Sequence, residues 1–213
     1  FLDKIMSNSA EVTGCPSVYQ KGPNLQITNT KVEEKEFRPV INGNLKYLRK
    51  TYVLPAFDKY KNSIYLDQDE FAEWLYFKKL SSKDKFIWRL IRKKTYYGVN
   101  LLCEDRIKLL YDIPYWLEYL QNEGFNFSCG SRIHGNIAAI LAGIPAMVIY
   151  RDARTRELAE FLELPCCRTL EGKELYEEYL KADYTCFNKN FRAKFKKFER
   201  FLVSHGITHD IDD

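Results

Sequence analysis

The chain reads as an α/β protein built on a Rossmann-like parallel sheet flanked by helices. Helix-like and strand-like segments alternate quickly from residue 113 to about residue 170, and strands separated by a crossover helix pair in parallel. At the centre of that stretch, Ser131-Arg132-Ile133-His134-Gly135 joins a strand-like segment to the apolar run 136–143, as a strand-turn-helix unit does. With 213 residues the chain can bury a proper core in one domain, or in one domain with an appendage.

From the N-terminal side, residues 10–14 are short and β-capable through Val12 and Thr13, and Gly14-Cys15-Pro16-Ser17 forms a turn. Residues 25–30 alternate apolar and polar, which predicts a half-buried strand. Apolar side chains at three-to-four spacing across 44–60 predict a helix kinked or broken at Pro55. A brief strand is expected at 63–66, with Asp67 or Asp69 capping a helix over 70–80. A further helix over 82–94 has Ser82 as its cap, with Phe86, Ile87, Leu90 and Ile91 on one face and Arg89, Arg92, Lys93 and Lys94 on the solvated side. Residues 99–102 are strand-like, and a continuation into 107–110 reads equally as helix.

The pattern sharpens from Pro114, which suits the first turn of a helix running to Asn122 before Gly124 ends it. Then come a strand at 125–129, a helix at 134–142, a strand at 146–150, a helix at 155–162 and a short strand at Cys166-Cys167. Two helices, 172–181 and about 188–204, form the tail. In the second, Phe191, Phe195, Phe198 and Leu202 make one stripe ringed by Lys189, Lys194, Lys196, Lys197 and Arg200. This predicts a helix packed on the core with a solvated edge, in preference to a basic helix resting on a membrane.

Composition excludes several classes. The 33 basic and 29 acidic side chains leave a net charge of +4, far from the footprint of a nucleic-acid binder. Six cysteines without a Cys-x-x-Cys pair suggest free thiols in a reducing compartment. Cys129 reads as a small buried residue rather than a nucleophile. No zinc spacing, Gly-x-Gly-x-x-Gly or P-loop pattern occurs, and His205, His209, Asp210, Asp212 and Asp213 read as a solvated tail. The longest apolar stretch, 137–150, is interrupted by Gly143 and Pro145, and no signal peptide is visible, so a soluble cytoplasmic protein is expected. The start at Phe1 suggests part of a longer chain.

In parallel sheets ligands bind beyond the carboxyl ends of the strands, where Ser131 to Gly135 lies. A helix N-terminus there favours an anion. Arg132 adds a planar fork for carboxylate or phosphate, and His134 can act as acid or base near neutral pH. A purely structural histidine at a helix start is an equal alternative. Asp152 and Arg154 occupy the turn after the next strand, with Asp152 or Thr155 as a helix cap, Arg156 opposite Glu157 and Glu160, and Arg151 or Arg154 as a second cationic contact.

Taken with Ala138-Ala139, Gly143-Ile144-Pro145, Asp152-x-Arg154, Gly14-Cys15-Pro16-Ser17 and Trp116, the Arg-Ile-His-Gly segment resembles the signature of the polysaccharide pyruvyl transferase family, strongly over 112–165 and weakly over 25–100. The resemblance implies the C-terminal half of a GT-B fold, in which two Rossmann-like domains enclose a cleft. Residues 1–24 would then be a linker and the end of an N-terminal domain, 25–185 the Rossmann-like domain, and 186–213 a C-terminal helix and tail. It also implies an enzyme of exopolysaccharide or cell-envelope biosynthesis. Such an enzyme moves the enolpyruvyl unit of phosphoenolpyruvate onto two sugar hydroxyls, giving a ketal and phosphate. His134 and Arg132 would be catalytic, and Ser131, Gly135, Asp152 and Arg154 would bind substrate. The donor would be phosphoenolpyruvate, with no metal or organic cofactor and no nucleic acid. The acceptor would be a saccharide, free or lipid-linked, met in the cytoplasm or at the inner face of the membrane. Two other readings of the same cleft are a GT-B glycosyltransferase using a nucleotide-sugar and a noncatalytic saccharide-binding domain.

Overall fold

Strand β4, Phe127–Gly130, shows how the layers arise. Phe127 and Cys129 enter an apolar cluster on one side of the sheet, while Ser128 on the other side meets a helix residue, Asn136. Side chains alternate across a strand, so a strand buried on both faces requires a layer on each side. The computed structural model describes residues 11–43, 53–68, 82, 106–110 and 112–209.

Among the described residues six strands form one sheet in the order β3-β2-β1-β4-β5-β6. They are β1 (Pro39–Asn42), β2 (Ile64–Asp67), β3 (Ile107–Leu109), β4, β5 (Ala146–Ile149) and β6 (Cys166–Cys167). Every pairing is parallel. The order runs outward from a central β1/β4 pair, so the chain reverses its winding between those strands, and there a crevice opens beyond their carboxyl ends. The Rossmann-like α/β class read from the sequence is the observed one.

The described helices are α1 (Val53–Lys59), α2 (Ile113–Asn122), α3 (Ile133–Leu141), α4 (Ala153–Leu162), α5 (Leu175–Lys181) and α6 (Thr185–Ser204). On one face of the sheet, Val53 and Phe57 of α1 and Leu175 and Tyr179 of α5 pack against Ile41, Phe127, Met147 and Ile149. On the other, α2 and part of α3 cover Val40, Ile64 and Leu66, while the rest of α3, α4 and α6 cover Ala146 and Val148. No helix among the described residues is long and apolar enough to cross a membrane.

Boundaries from 113 onward fall within a few residues of those expected, and the capping chemistry explains them. Asp152 precedes α4 as its cap: its carboxylate accepts from Thr155 N at 2.8 Å, and Thr155 Oγ1 answers toward the Asp152 N–H. This satisfies two otherwise unpaired donors at the helix start and sets it at Ala153 rather than Thr155. Arg156 pairs with Glu160 at 2.7 Å, as their spacing suggests.

Three expectations need correction. Residues 25–30 form no strand, although Leu25 and Ile27 are buried and their neighbours 26 and 28 exposed. Asn188 takes the place of a neighbouring strand: Ile27 N donates to its Oδ1 at 2.8 Å and its Nδ2 donates to Ile27 O at 3.0 Å. Pro55 does not break α1 but stands in its first turn, where its missing N–H has no helical partner to lose. Residues 107–109 are strand β3, not helix, because they complete the edge beside β2. The central strand β1 goes unread in sequence, since all four of its residues are buried and no alternation marks it. Asp67 ends β2 as a buried residue. The anticipated helices at 70–80 and 82–94, the strand at 99–102 and residues 44–52 lie outside the described residues, apart from Ser82.

The tail helix packs as its stripe predicts. Phe187, Phe191, Phe195 and Phe198 are each at most 6 % exposed, and Tyr19 stacks on Phe198 with ring centroids 4.8 Å apart. The N-terminal segment and the C-terminal helix therefore share one core cluster.

Gly130 lies hard against β1, because a Cβ there would lie 1.8 Å from the carbonyl oxygen of Asn42. The backbones of β1 and β4 would have to part. Gly130→Ala should lower stability by about 3 kcal/mol, read as a lower denaturant midpoint at unchanged m-value.

Candidate active site

The carboxyl ends of β1 and β4 are joined by a buried polar network. Asn42, the last residue of β1, is fully buried; its Nδ2 donates to Asn136 Oδ1 at 2.8 Å and lies 3.3 Å from Ser128 Oγ. Ser128 Oγ donates to the same Asn136 oxygen at 2.9 Å, and Asn136 Nδ2 donates to Gly130 O at 3.1 Å. On its other side Asn42 accepts twice, from Arg132 N at Oδ1 (3.0 Å) and from Ser131 N at its carbonyl (3.2 Å). The bonds among Asn42, Ser128, Asn136 and Gly130 are buried, where water does not compete, which makes them directional and costly to break.

The turn so held delivers α3. Arg132 is its N-cap residue, half-buried and extended, with no side-chain cap. His134 is the second helical residue and is exposed. Ser131 is 4 % exposed, and its Oγ has no hydrogen-bond partner among the described residues. Gly135 lies against Asn42 and Gln68, where a Cβ would come within 2.8 Å of Gln68 Nε2, and that nitrogen also lacks a partner. Two buried donors with unmade bonds thus lie around Asn42 at the sheet's switch point.

A second opening adjoins the other side of the α3 start. A cleft of about 850 Å³ runs between the N-terminal segment and α4, lined by Gly14, Cys15, His134, Arg154, Glu157 and Phe161 among others. The structure therefore brings His134 and Arg154 to one space. Ser131, Arg132, Gly135 and Asp152 do not line it; the first three build the turn, and the Asp152 carboxylate is engaged by Thr155.

The cleft holds a pair that sequence reasoning did not assign. Cys15 Sγ lies 3.6 Å from His134 Nε2 and 2.9 Å from Ser17 Oγ. The hydrogen bond to His134 draws the thiol down to about 7 against partial burial, with Ser17 assisting. The same bond holds the imidazole above its ordinary range, against burial and the charge of Arg154. Each group favours the charged form of the other. Gly14, just before the pair, has φ +83°, and a Cβ there would meet Phe161 at 2.5 Å, so glycine is what lets the segment lie this close to α4. Tyr19 anchors the segment from beneath, donating to Thr13 O at 2.8 Å.

Three other cysteines among the described residues differ from Cys15. Cys15, Cys129, Cys166, Cys167 and Cys186 are all free thiols. Burial raises Cys129, Cys166 and Cys167, so none of these three shares the activation of Cys15. Among the described residues no three His, Cys, Asp or Glu side chains stand close enough to hold a metal ion. His209 lies 3.7 Å from Glu199, while Asp210, Asp212 and Asp213 lie outside the described residues.

A model of the polysaccharide pyruvyl transferase family matches residues 1–153, which include the Cys15 segment, the buried asparagines and the His134 turn. The chain belongs to this family. Membership makes it a transferase of the polysaccharide pyruvyl transferase class. Among curated proteins none matches the chain.

The site generates two expectations. Asn42→Ala removes the acceptor of Arg132 N and the donor to Asn136, leaving buried groups unpaired, and should lower stability by about 2–3 kcal/mol in chemical denaturation. Alkylation of Cys15 should rise with pH through a midpoint of about 7. In His134→Ala, with the largest lowering cause gone, that midpoint should move up toward the ordinary thiol range, as mass spectrometry of the Cys15 peptide would show.

Proposed function

We propose that this chain transfers pyruvate from phosphoenolpyruvate to two hydroxyls of a saccharide, forming a cyclic ketal and releasing phosphate. The observation that carries the reading is the placement of His134, a titratable group held above its ordinary range in the first turn of α3, in a cleft it shares with Arg154.

The donor carries a carboxylate and a phosphate. The α3 N-terminus, Arg132 at its cap and Arg154 across the cleft supply positive potential for both groups. Ser131 Oγ and Gln68 Nε2 are donors in need of an acceptor at the switch point. In the reaction a proton is added to the methylene carbon, leaving an oxocarbenium-like centre at the carbon that bears phosphate. One sugar hydroxyl adds to that carbon and loses its proton. The second hydroxyl then replaces the phosphate, whose carbon–oxygen bond breaks with the electron pair leaving on phosphate, and the proton of that hydroxyl departs with it as hydrogen phosphate. His134 is the acid for the first step. Its raised affinity for protons keeps it charged at a higher pH than an ordinary imidazole, and catalysis is lost as pH rises through that titration.

Support for this reading over a nucleotide-sugar glycosyltransferase of similar fold comes from family membership. The acceptor, its attachment to lipid and a site in the cytoplasm at the membrane's inner face belong to the same proposal. So does a further N-terminal domain closing over the cleft.

The full-length protein with phosphoenolpyruvate and sugar acceptors should release inorganic phosphate. His134→Ala should reduce the rate by roughly 10²–10⁴-fold while its circular dichroism stays unchanged. Turnover of a nucleotide-sugar without turnover of phosphoenolpyruvate would refute the reading.

A further inference from the structure

We propose that Cys15 is a positioning residue for His134. Its sulfur occupies the Nε2 side of the imidazole and leaves Nδ1 as the nitrogen that exchanges a proton with substrate. The inference rests on the reading of His134 as the proton donor.

Geometry carries it. Sγ stands 3.6 Å from Nε2, and the sulfur is itself fixed by Ser17 Oγ at 2.9 Å. Ser17 lies in the 3-10 turn Pro16–Tyr19, whose Tyr19 is fully buried, so the sulfur is carried by a rigid piece of chain. When one ring nitrogen is tied to an immobile partner, that bond sets the tautomer and the ring orientation, and chemistry falls to the other nitrogen. This is the role a carboxylate plays toward a catalytic histidine in serine hydrolases.

The charges around the ring leave this task to sulfur. Arg154 at the start of α4 opposes protonation of His134. Glu160 of α4 is held by Arg156 at 2.7 Å, and Glu11 of the N-terminal segment is paired with Lys197 at 3.8 Å. Glu157 lines the cleft further along α4, and Arg132 caps α3 itself. Of these, Cys15 is the group bonded to the ring.

The proton cycle closes without another reactant. The imidazolium gives its Nδ1 proton to the methylene carbon of the enolpyruvyl group and becomes neutral, with Nε2–H still donated to the thiolate. The attacking sugar hydroxyl then returns a proton to Nδ1. Sulfur forms no bond to carbon.

The test compares Cys15→Ala, Cys15→Ser and His134→Ala in the full-length protein, by steady-state kinetics and by ¹⁵N imidazole spectra across pH. Cys15→Ala should lower kcat about tenfold, a part of the acid's contribution, with KM for phosphoenolpyruvate unchanged. The basic limb of its kcat profile and the His134 titration should both move to lower pH, since the bond to Cys15 is the largest cause that raises the imidazole. Cys15→Ser, whose hydroxyl can still accept from Nε2–H, should recover most of the rate, and the wild-type spectrum should show the proton on Nε2 when the ring is neutral. An unmoved basic limb and imidazole titration in Cys15→Ala would overturn the proposal, and so would a Cys15→Ser enzyme as inactive as Cys15→Ala, which would mark the sulfur as a nucleophile. Full activity in His134→Ala would overturn the acid role of His134 and with it the positioning role of Cys15, whereas no phosphate release from phosphoenolpyruvate by the wild type, with the imidazole titration still moved in Cys15→Ala, would sink the transfer reading while upholding the Cys15–His134 bond.

Discussion

The buried set formed by Asn42, Ser128 and Asn136 is the constraint on which the rest of the site depends. Parallel strands that wind in opposite directions separate beyond their ends, and something has to hold the two departing chains at a set spacing. Here Asn42 serves β4 through Ser128, α3 through Asn136, and the intervening turn through Arg132 N and Ser131 N. One side chain thus fixes a strand, a helix and the loop between them. An apolar residue in its place would fill the space without stating a direction. The amide states one, which is why α3 begins where it does and His134 faces the cleft.

The opposite wall is built differently. Cys15 comes from a segment without strand or α-helix, and what immobilises it is aromatic packing. Tyr19 lies against Phe191, Phe195 and Phe198 of the last long helix, with centroid separations of 4.8–5.8 Å. The phenylalanine stripe of α6 is therefore more than a cover for the sheet. It is the far end of a mechanical chain that runs from α6 through Tyr19 to the thiol and then to the imidazole. Glu163, in a left-handed conformation after α4, ties that helix to α6 through Asn190 and Lys194.

How much of this was legible in the sequence follows from the range of the interactions. The turn at 131–135 and its helix were readable because strand, turn and helix are contiguous and carry their own apolar periods. Strand β1 was not, since four doubly buried residues beginning with Pro39 have neither the length nor the alternation that marks a strand. Residues 25–30 have the alternation but lack a strand to pair with, and Asn188, 161 residues away, supplies the bonds instead. The Cys15–His134 bond joins positions 119 residues apart. Its one trace in sequence is the Gly-Cys-Pro-Ser turn, visible as a motif but silent about its partner. Asp152 shows the converse: a residue at a strand end that suggested ligand binding is occupied by the local duty of capping.

The separation of 94 residues between Asn42 and Asn136 has a consequence for how the molecule is assembled. Closing so long a loop carries an entropy cost that local helices do not bear, and folds dominated by such contacts form slowly. The two central strands of the sheet are made far apart in time during synthesis, and β1 must wait for β4 before it has a neighbour on that side. The geometry of the turn that carries the candidate site is accordingly a late event of folding: helices and short-range contacts can exist before it, but the turn held by Asn42 cannot.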